Sequence, residues 1–137
     1  MGTVKVDVTL KKSSDVMNAL NGLIPKENVH ATTVQAVVDT GSMTLIINEK
    51  MREQLDLTVI DRKFVRVADG RRVECKVTEP VEIYWKNRSA VEMAVVIPES
   101  PVVLLGVTPL EVMDLMVDPV NLELVGVHGD DWTEWVM

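Results

Sequence analysis

The sequence predicts a mainly β protein of one domain with one or two short helices, and three observations carry that reading. Apolar residues recur with period two, as in Val4, Val6, Val8 and Leu10 against Lys5, Asp7 and Thr9. Valine, a β-branched residue suited to a pleated surface, is the most used type. A length of 137 residues suffices for one core and is too short for two ordinary domains, so residues 1–137 are read as a single domain.

Taken in order, the opening alternation makes a half-buried strand from Val4 to Leu10. Lys11 to Lys26 is less regular. Ser13, Ser14 and Asp15 are helix-capping types, but Asn21-Gly22 and Pro25 are breakers, and the stretch is read as an insertion loop. Val29 to Val38 returns to strand. Thr44 to Ile47 is a further apolar strand, and Asn48 then stands as N-cap to a short helix with Met51 and Leu55 on one face.

Phe64 to Val77 reads as a hairpin. A two-residue Asp69-Gly70 turn would mix its faces, whereas a three-residue loop over Ala68-Asp69-Gly70, with Gly70 left-handed, restores them. Val65, Val67, Val73, Cys75 and Val77 then share one face, and Arg66, Arg72, Glu74 and Lys76 the other. Val81 to Trp85 pairs with Val91 to Ile97 over Lys86-Asn87-Arg88-Ser89. Val102 to Gly106 is a continuous apolar run, expected for a strand covered on both faces. Thr108-Pro109-Leu110-Glu111 has the form of a capping box with proline at the first helical position, opening a helix that ends near Met113. Leu115 to Val117 and Glu123 to Val127 flank a proline turn, Asp118 to Asn121. In the tail, residues 128–137, Trp132 and Trp135 cover part of a core or meet a partner subunit.

Composition excludes several function classes. Apolar residues at 47% and charged residues at 26% describe a globular chain rather than a disordered one. A net charge of −7 argues against nucleic acid or an anionic membrane as the main partner. No run of 18 apolar residues occurs, the first ten residues lack a signal peptide's pattern, and Val6 stands where a myristoylation motif requires Ser or Thr. Cys75 is the only cysteine, which rules out a disulfide within the chain and suits a reducing compartment, so a cytoplasmic location is expected. His30 and His128 sit in polar context without ligand spacing, and no metal is expected.

The chemistry-bearing stretch is Val37-Val38-Asp39-Thr40-Gly41-Ser42. Gln35 to Val38 is a strand-like lead-in, and Gly41 provides the conformational freedom of a sharp reversal, which puts Asp39 where a strand stops. A carboxylate in an apolar wall costs about 1 to 3 kcal/mol when imperfectly bonded. Asp-Thr-Gly also makes an ordinary Asx-type turn, so these residues alone leave both readings open.

The order of motifs is more specific. The chain holds Asp39-Thr40-Gly41-Ser42 after a strand, a helix with an asparagine cap, a hairpin with glycine at its tip, and Leu104-Leu105-Gly106 before a capped helix. This combination resembles the retropepsins, the single-lobed aspartic peptidases typified by retroviral proteases, and is most similar to their bacterial members. The resemblance covers residues 35 to 127 and implies a single-lobed, closed and bent β-barrel. It implies Asp39 as the catalytic aspartate, with Thr40, Gly41 and Ser42 completing the motif. It also implies a flap at Val67, Ala68, Asp69, Gly70 and Arg71, and a substrate-side floor element at Leu104, Leu105 and Gly106. Two departures stand out: Val107 and Thr108 replace the Arg and Asn or Asp that follow the glycine in retroviral members, and the flap tip has one glycine rather than a run.

Carboxylate-driven peptide hydrolysis needs one group to accept a proton from water and another to donate one to the carbonyl oxygen. Two adjacent aspartates sharing a proton supply both roles. The chain has a single Asp-Thr-Gly, and Asp118, before Pro119, lacks the glycine turn. The expectation is therefore a two-fold homodimer with one Asp39 from each chain, cutting a peptide or protein substrate through a bound water, with no cofactor. A Ser42 hydroxyl donating to that carboxylate would favour its charged form and place the activity optimum at lower pH than in Ser42→Ala. The competing expectation is a non-catalytic module using the same fold for dimerisation or peptide binding.

Overall fold

A computed structural model describes residues 2–132; Trp135 lies outside them. The chain runs β1 (Lys5–Lys12), α1 (Ser13–Leu20), a 3-10 turn (Lys26–Asn28), β2 (Ala31–Val38), β3 (Leu45–Ile47), α2 (Glu49–Gln54), β4 (Val59–Arg66) and β5 (Arg72–Trp85). It continues through β6 (Arg88–Val96), β7 (Val103–Leu105), α3 (Val107–Val112), β8 (Leu115–Asp118) and β9 (Glu123–Gly126).

Strands β1, β2, β7, β3, β6 and β5 are hydrogen-bonded in that order, and β5 pairs back onto β1 through Leu10↔Ile83 and Lys12↔Val81. The sheet is thus closed into a barrel, which removes the exposed edges an open sheet would present. Strand β4 lies outside the ring, attached only to β5 among the described strands. The alternation predicted for the opening segment fills the barrel: Val8 and Leu10 are fully buried, in company with Leu45, Ile47, Ile83, Leu105 and Met113 among others. A second, smaller cluster of Ile46, Cys75 and Val95 packs against Val65, Val73, Ile97 and Leu104, between the β4–β5 hairpin and the barrel.

Several expectations hold in detail. Asn48 caps α2 by accepting the Met51 N–H at 2.8 Å, and Met51 and Leu55 are buried beneath it. The β4–β5 hairpin has Val65 opposite Val73 and Lys63 opposite Cys75, so the connection is the three-residue loop Ala68-Asp69-Gly70 with Gly70 at φ +89°. Asp118 organises the β8–β9 turn by accepting the Val120 and Asn121 N–H groups at 2.9 and 3.2 Å.

Four details differ. Residues 13–20 form helix α1 rather than an insertion loop, because the polar side chains that favour turns find distant partners. Ser13 donates to Glu82 at 3.0 Å, Ser14 donates to Glu79 at 2.6 Å, and Asp15 accepts the His30 N–H at 2.9 Å. The β5–β6 turn is tighter than expected: Trp85 pairs with Arg88, leaving Lys86-Asn87 as the turn and placing Arg88 in the strand, buried. Strand β7 is fully covered only on the face of Val103 and Leu105, while the hairpin cluster covers its Leu104 face in part. The capping box at Thr108 does not form; α3 begins at Val107 after Gly106, with no side-chain cap.

Candidate active site

Strand β2 ends at Val38, paired in parallel with Leu105 of β7, and the next amide, Asp39 N–H, donates to the Leu105 carbonyl at 3.0 Å. The chain then turns back on itself: Ser42 N–H donates to the Asp39 carbonyl at 3.1 Å. Both carboxylate oxygens of Asp39 are held from within the turn. Gly41 N–H donates to Oδ1 at 2.9 Å and the Ser42 hydroxyl to Oδ2 at 2.8 Å. The reversal expected here forms, but without the free φ expected of Gly41, which is not left-handed; its value is proximity, since a Cβ there would sit 3.2 Å from Asp39 Oδ1.

The loop is clamped from behind. Gly106, Val107 and Thr108 donate their backbone N–H groups to the carbonyls of Thr44, Ser42 and Met43 at 3.0, 2.9 and 2.8 Å, and the Thr108 hydroxyl donates to Met43 as well. These are the amides that a helix start leaves without intrahelical partners, so α3 is capped by the Asp39 loop instead of by its own side chain. The approach requires glycine at 106, where a Cβ would lie 2.5 Å from the Thr44 carbonyl oxygen and 2.6 Å from that of Ser42.

Asp39 and Thr40 open onto a cleft of about 530 Å³ whose walls include Val37, Val38, Leu104, Val117 and Pro119, together with residues 2–4. Asp39 is half-buried and Thr40 exposed. The residues expected at the site thus fall into three groups. Asp39, Thr40 and Leu104 share the cleft; Leu105 and Gly106 are buried behind it and hold the loop; Val67, Ala68, Asp69 and Gly70 form the hairpin tip and do not line this cleft. What connects the tip to the floor is the hairpin's inner face, where Val65, Val73 and Cys75 meet Ile46 and Leu104. At the tip, backbone and side-chain hydrogen bonds from Arg71 hold the Asp69 carboxyl below the ordinary range. Burial pushes the Cys75 thiol up, with the charge of Lys63 acting against it.

A profile of the family described as aspartyl protease matches residues 20–108. The chain belongs to the aspartyl protease family. Comparison with curated proteins returned no match. Among solved structures, the retroviral protease-like domain of Ddi1 from Leishmania major is similar over 91% of this chain and 88% of that one, at 17% identity and a TM-score of 0.55. That likeness shows the retropepsin-like fold of this aspartyl protease family member. EIAV protease complexed with the inhibitor HBY-793 is 25% identical over 58% of this chain and 76% of that one, with a TM-score of 0.48. A retropepsin-like aspartic protease from Rickettsia conorii is 14% identical over 86% and 89%, with a TM-score of 0.44.

Sequence reasoning missed the far wall of the cleft in this family member, because Val117 and Pro119 follow the Asp39 motif by more than seventy residues and carry no chemical signature. It also missed Arg88, which is only 2% exposed and donates to the carbonyls of Met113 and Asp114 at 2.8 and 2.9 Å and to that of Gly129. Among the described residues no group of three His, Cys, Asp or Glu side chains is placed to hold a metal ion. His30 and His128 each pair with an aspartate, Asp15 at 2.7 Å and Asp114 at 2.8 Å. No helix among the described residues is long and apolar enough to cross a membrane.

Proposed function

We propose that this chain, as one retropepsin-like domain, is an aspartic endopeptidase whose catalytic pair is Asp39 from each of two copies. The observation that supports the reading best is the holding of Asp39. Each carboxylate oxygen receives one hydrogen bond from its own turn, the turn is clamped by α3, and the group still borders an open cleft beside exposed Thr40. A purely structural Asx turn has no use for that opening.

In the proposed reaction the two carboxylates share one proton. The ionised member takes a proton from a bound water, which attacks the peptide carbonyl, while the protonated member donates to the carbonyl oxygen. The tetrahedral species then collapses with protonation of the leaving nitrogen, and no covalent enzyme intermediate forms. Gly41 N–H and the Ser42 hydroxyl keep each carboxylate oriented. Substrate lies extended between the hairpin Val67–Arg71 and the floor at Leu104, with apolar side chains against the inner-face cluster. The proposed setting is the cytoplasm, in keeping with a single, buried cysteine.

The test is cleavage of a diverse peptide pool by the wild type, by Asp39→Asn, and by mixtures of the two. Asp39→Asn should lose activity by about 10²-fold or more. Excess Asp39→Asn should suppress the wild type, because mixed pairs lack one carboxylate. Specific activity should fall on dilution as pairs separate. Retained cleavage in Asp39→Asn refutes the catalytic assignment; undiminished specific activity in a demonstrably monomeric sample refutes the paired site.

A further inference from the structure

The β4–β5 hairpin carries Arg62, Lys63, Arg66, Arg71 and Arg72 within eleven positions of a chain whose net charge is −7. The structure separates these cations by face and by partner. Arg66 donates to the Gly70 carbonyl at 2.7 Å and Arg72 stacks on the exposed Phe64 ring at 3.8 Å, both on the outer face with Arg62, while Arg71, across from Val67 at the tip, is paired with Asp69 at 2.7 Å. Lys63 is different. Its register partner is Cys75, and antiparallel partners point to the same side of a sheet, so Lys63 leaves the strand on the face that carries Val65, Val73 and Cys75 over Ile46 and Leu104. It is exposed and forms no ion pair with the described residues. Asp61, two positions along the same face, accepts the Arg62 N–H at 2.7 Å.

We propose that Lys63 is a specificity-determining residue that selects substrates with an acidic side chain next to the apolar one held under the hairpin; this rests on the proteolytic reading of the cleft. An extended peptide repeats its same-side residues every two positions, about 6.6 Å, which is also the spacing of Lys63 from Val65 along β4. A peptide running along β4 with an apolar side chain against Val65 and Val73 brings its next same-side residue to Lys63. An ammonium there attracts Glu or Asp and repels Lys or Arg. The selectivity is that of a solvent-facing ion pair, about three- to fivefold, and it weakens with added salt.

The experiment uses three peptides that differ only in Glu, Gln or Lys two residues from a fixed apolar residue. They are read by kcat/KM with the wild type and by equilibrium binding to Asp39→Asn, which needs no turnover. The expected order is Glu above Gln above Lys in both assays. The Glu-to-Gln ratio should approach one in Lys63→Ala, and Lys63→Glu should invert the order. If Asp39→Asn shows this order while the wild type cuts nothing, Lys63 selectivity stands and the proteolytic reading falls. Equal binding of the three peptides, or a Glu preference that survives in Lys63→Ala, overturns the assignment of Lys63 whatever the cleavage result.

Discussion

Replacing Gly106 by alanine tests whether the Asp39 loop is held by close backbone approach. The added Cβ would fall 2.5 Å from the Thr44 carbonyl oxygen, 2.6 Å from that of Ser42 and 2.7 Å from the Met43 carbonyl carbon. All three neighbours are backbone, so no side chain can swing aside. Reaching an ordinary contact of 3.4 Å from 2.5 Å needs a separation of about 0.9 Å between the loop and the start of α3. That movement stretches the bonds donated by Gly106, Val107 and Thr108, each worth about 1 kcal/mol net. Overpacking of this kind costs about 1 to 3 kcal/mol by itself. The combined expectation is a loss of about 2 to 4 kcal/mol in urea unfolding. A second consequence follows for the carboxylate: kcat should fall more than KM rises, because the loop that moves carries Asp39. Gly41→Ala, with a single contact at 3.2 Å to a side-chain oxygen, should cost less. A Gly106→Ala variant within about 0.5 kcal/mol of the wild type would refute the clamp.

Arg88→Ala should destabilise the protein by about 3 to 5 kcal/mol in the same assay, since it removes a buried guanidinium together with its hydrogen bonds to the buried Met113 carbonyl and to those of Asp114 and Gly129. Tyr84 is the only tyrosine, so its ionisation can be followed by ultraviolet absorbance. Burial, followed by its hydrogen bond to Glu82, pushes it up to about 12. A raised tyrosine means that its stabilising contribution is whole below the ordinary value near 10 and is lost as pH climbs toward 12, so Glu82→Gln should lower the observed midpoint. Ser42→Ala removes a 2.8 Å hydrogen bond that orients Asp39 and should lower kcat about 5- to 10-fold with little change in KM; an unchanged kcat would show that the hydroxyl is idle.

Local periodicity made much of this fold legible in advance. The three-residue loop at 68–70 followed from the need to keep Val65 and Val73 on one face, and the Asn48 cap followed from residue type alone. What escaped was settled by partners distant in sequence. Ser13 and Ser14 look like turn residues until Glu82 and Glu79 accept their hydroxyls. Thr108 looks like a cap until the loop at 42–44 takes the helix's first amides. Arg88 looks solvated, as a charge near a turn usually is, until the segment after α3 folds over it. The two glycines of the site divide the same way: the conformational freedom expected of Gly41 is not used, while the crowding that demands Gly106 is visible only with both strands in place.

Strand β5 serves two neighbourhoods. From Val81 onward it is a stave of the barrel, tied to β1 and β6, while from Arg72 to Val77 it is the stem on which β4 hangs. Between the two parts the ladder to β6 slips at Val77–Pro80, and the buried Thr78 hydroxyl bridges that slip by accepting the Ala94 N–H and donating to the Glu79 carbonyl. The hairpin is therefore cantilevered from one strand, with its underside resting on the barrel. The footing of that strand, a single threonine, is set in the wall of the molecule eight residues beyond Gly70.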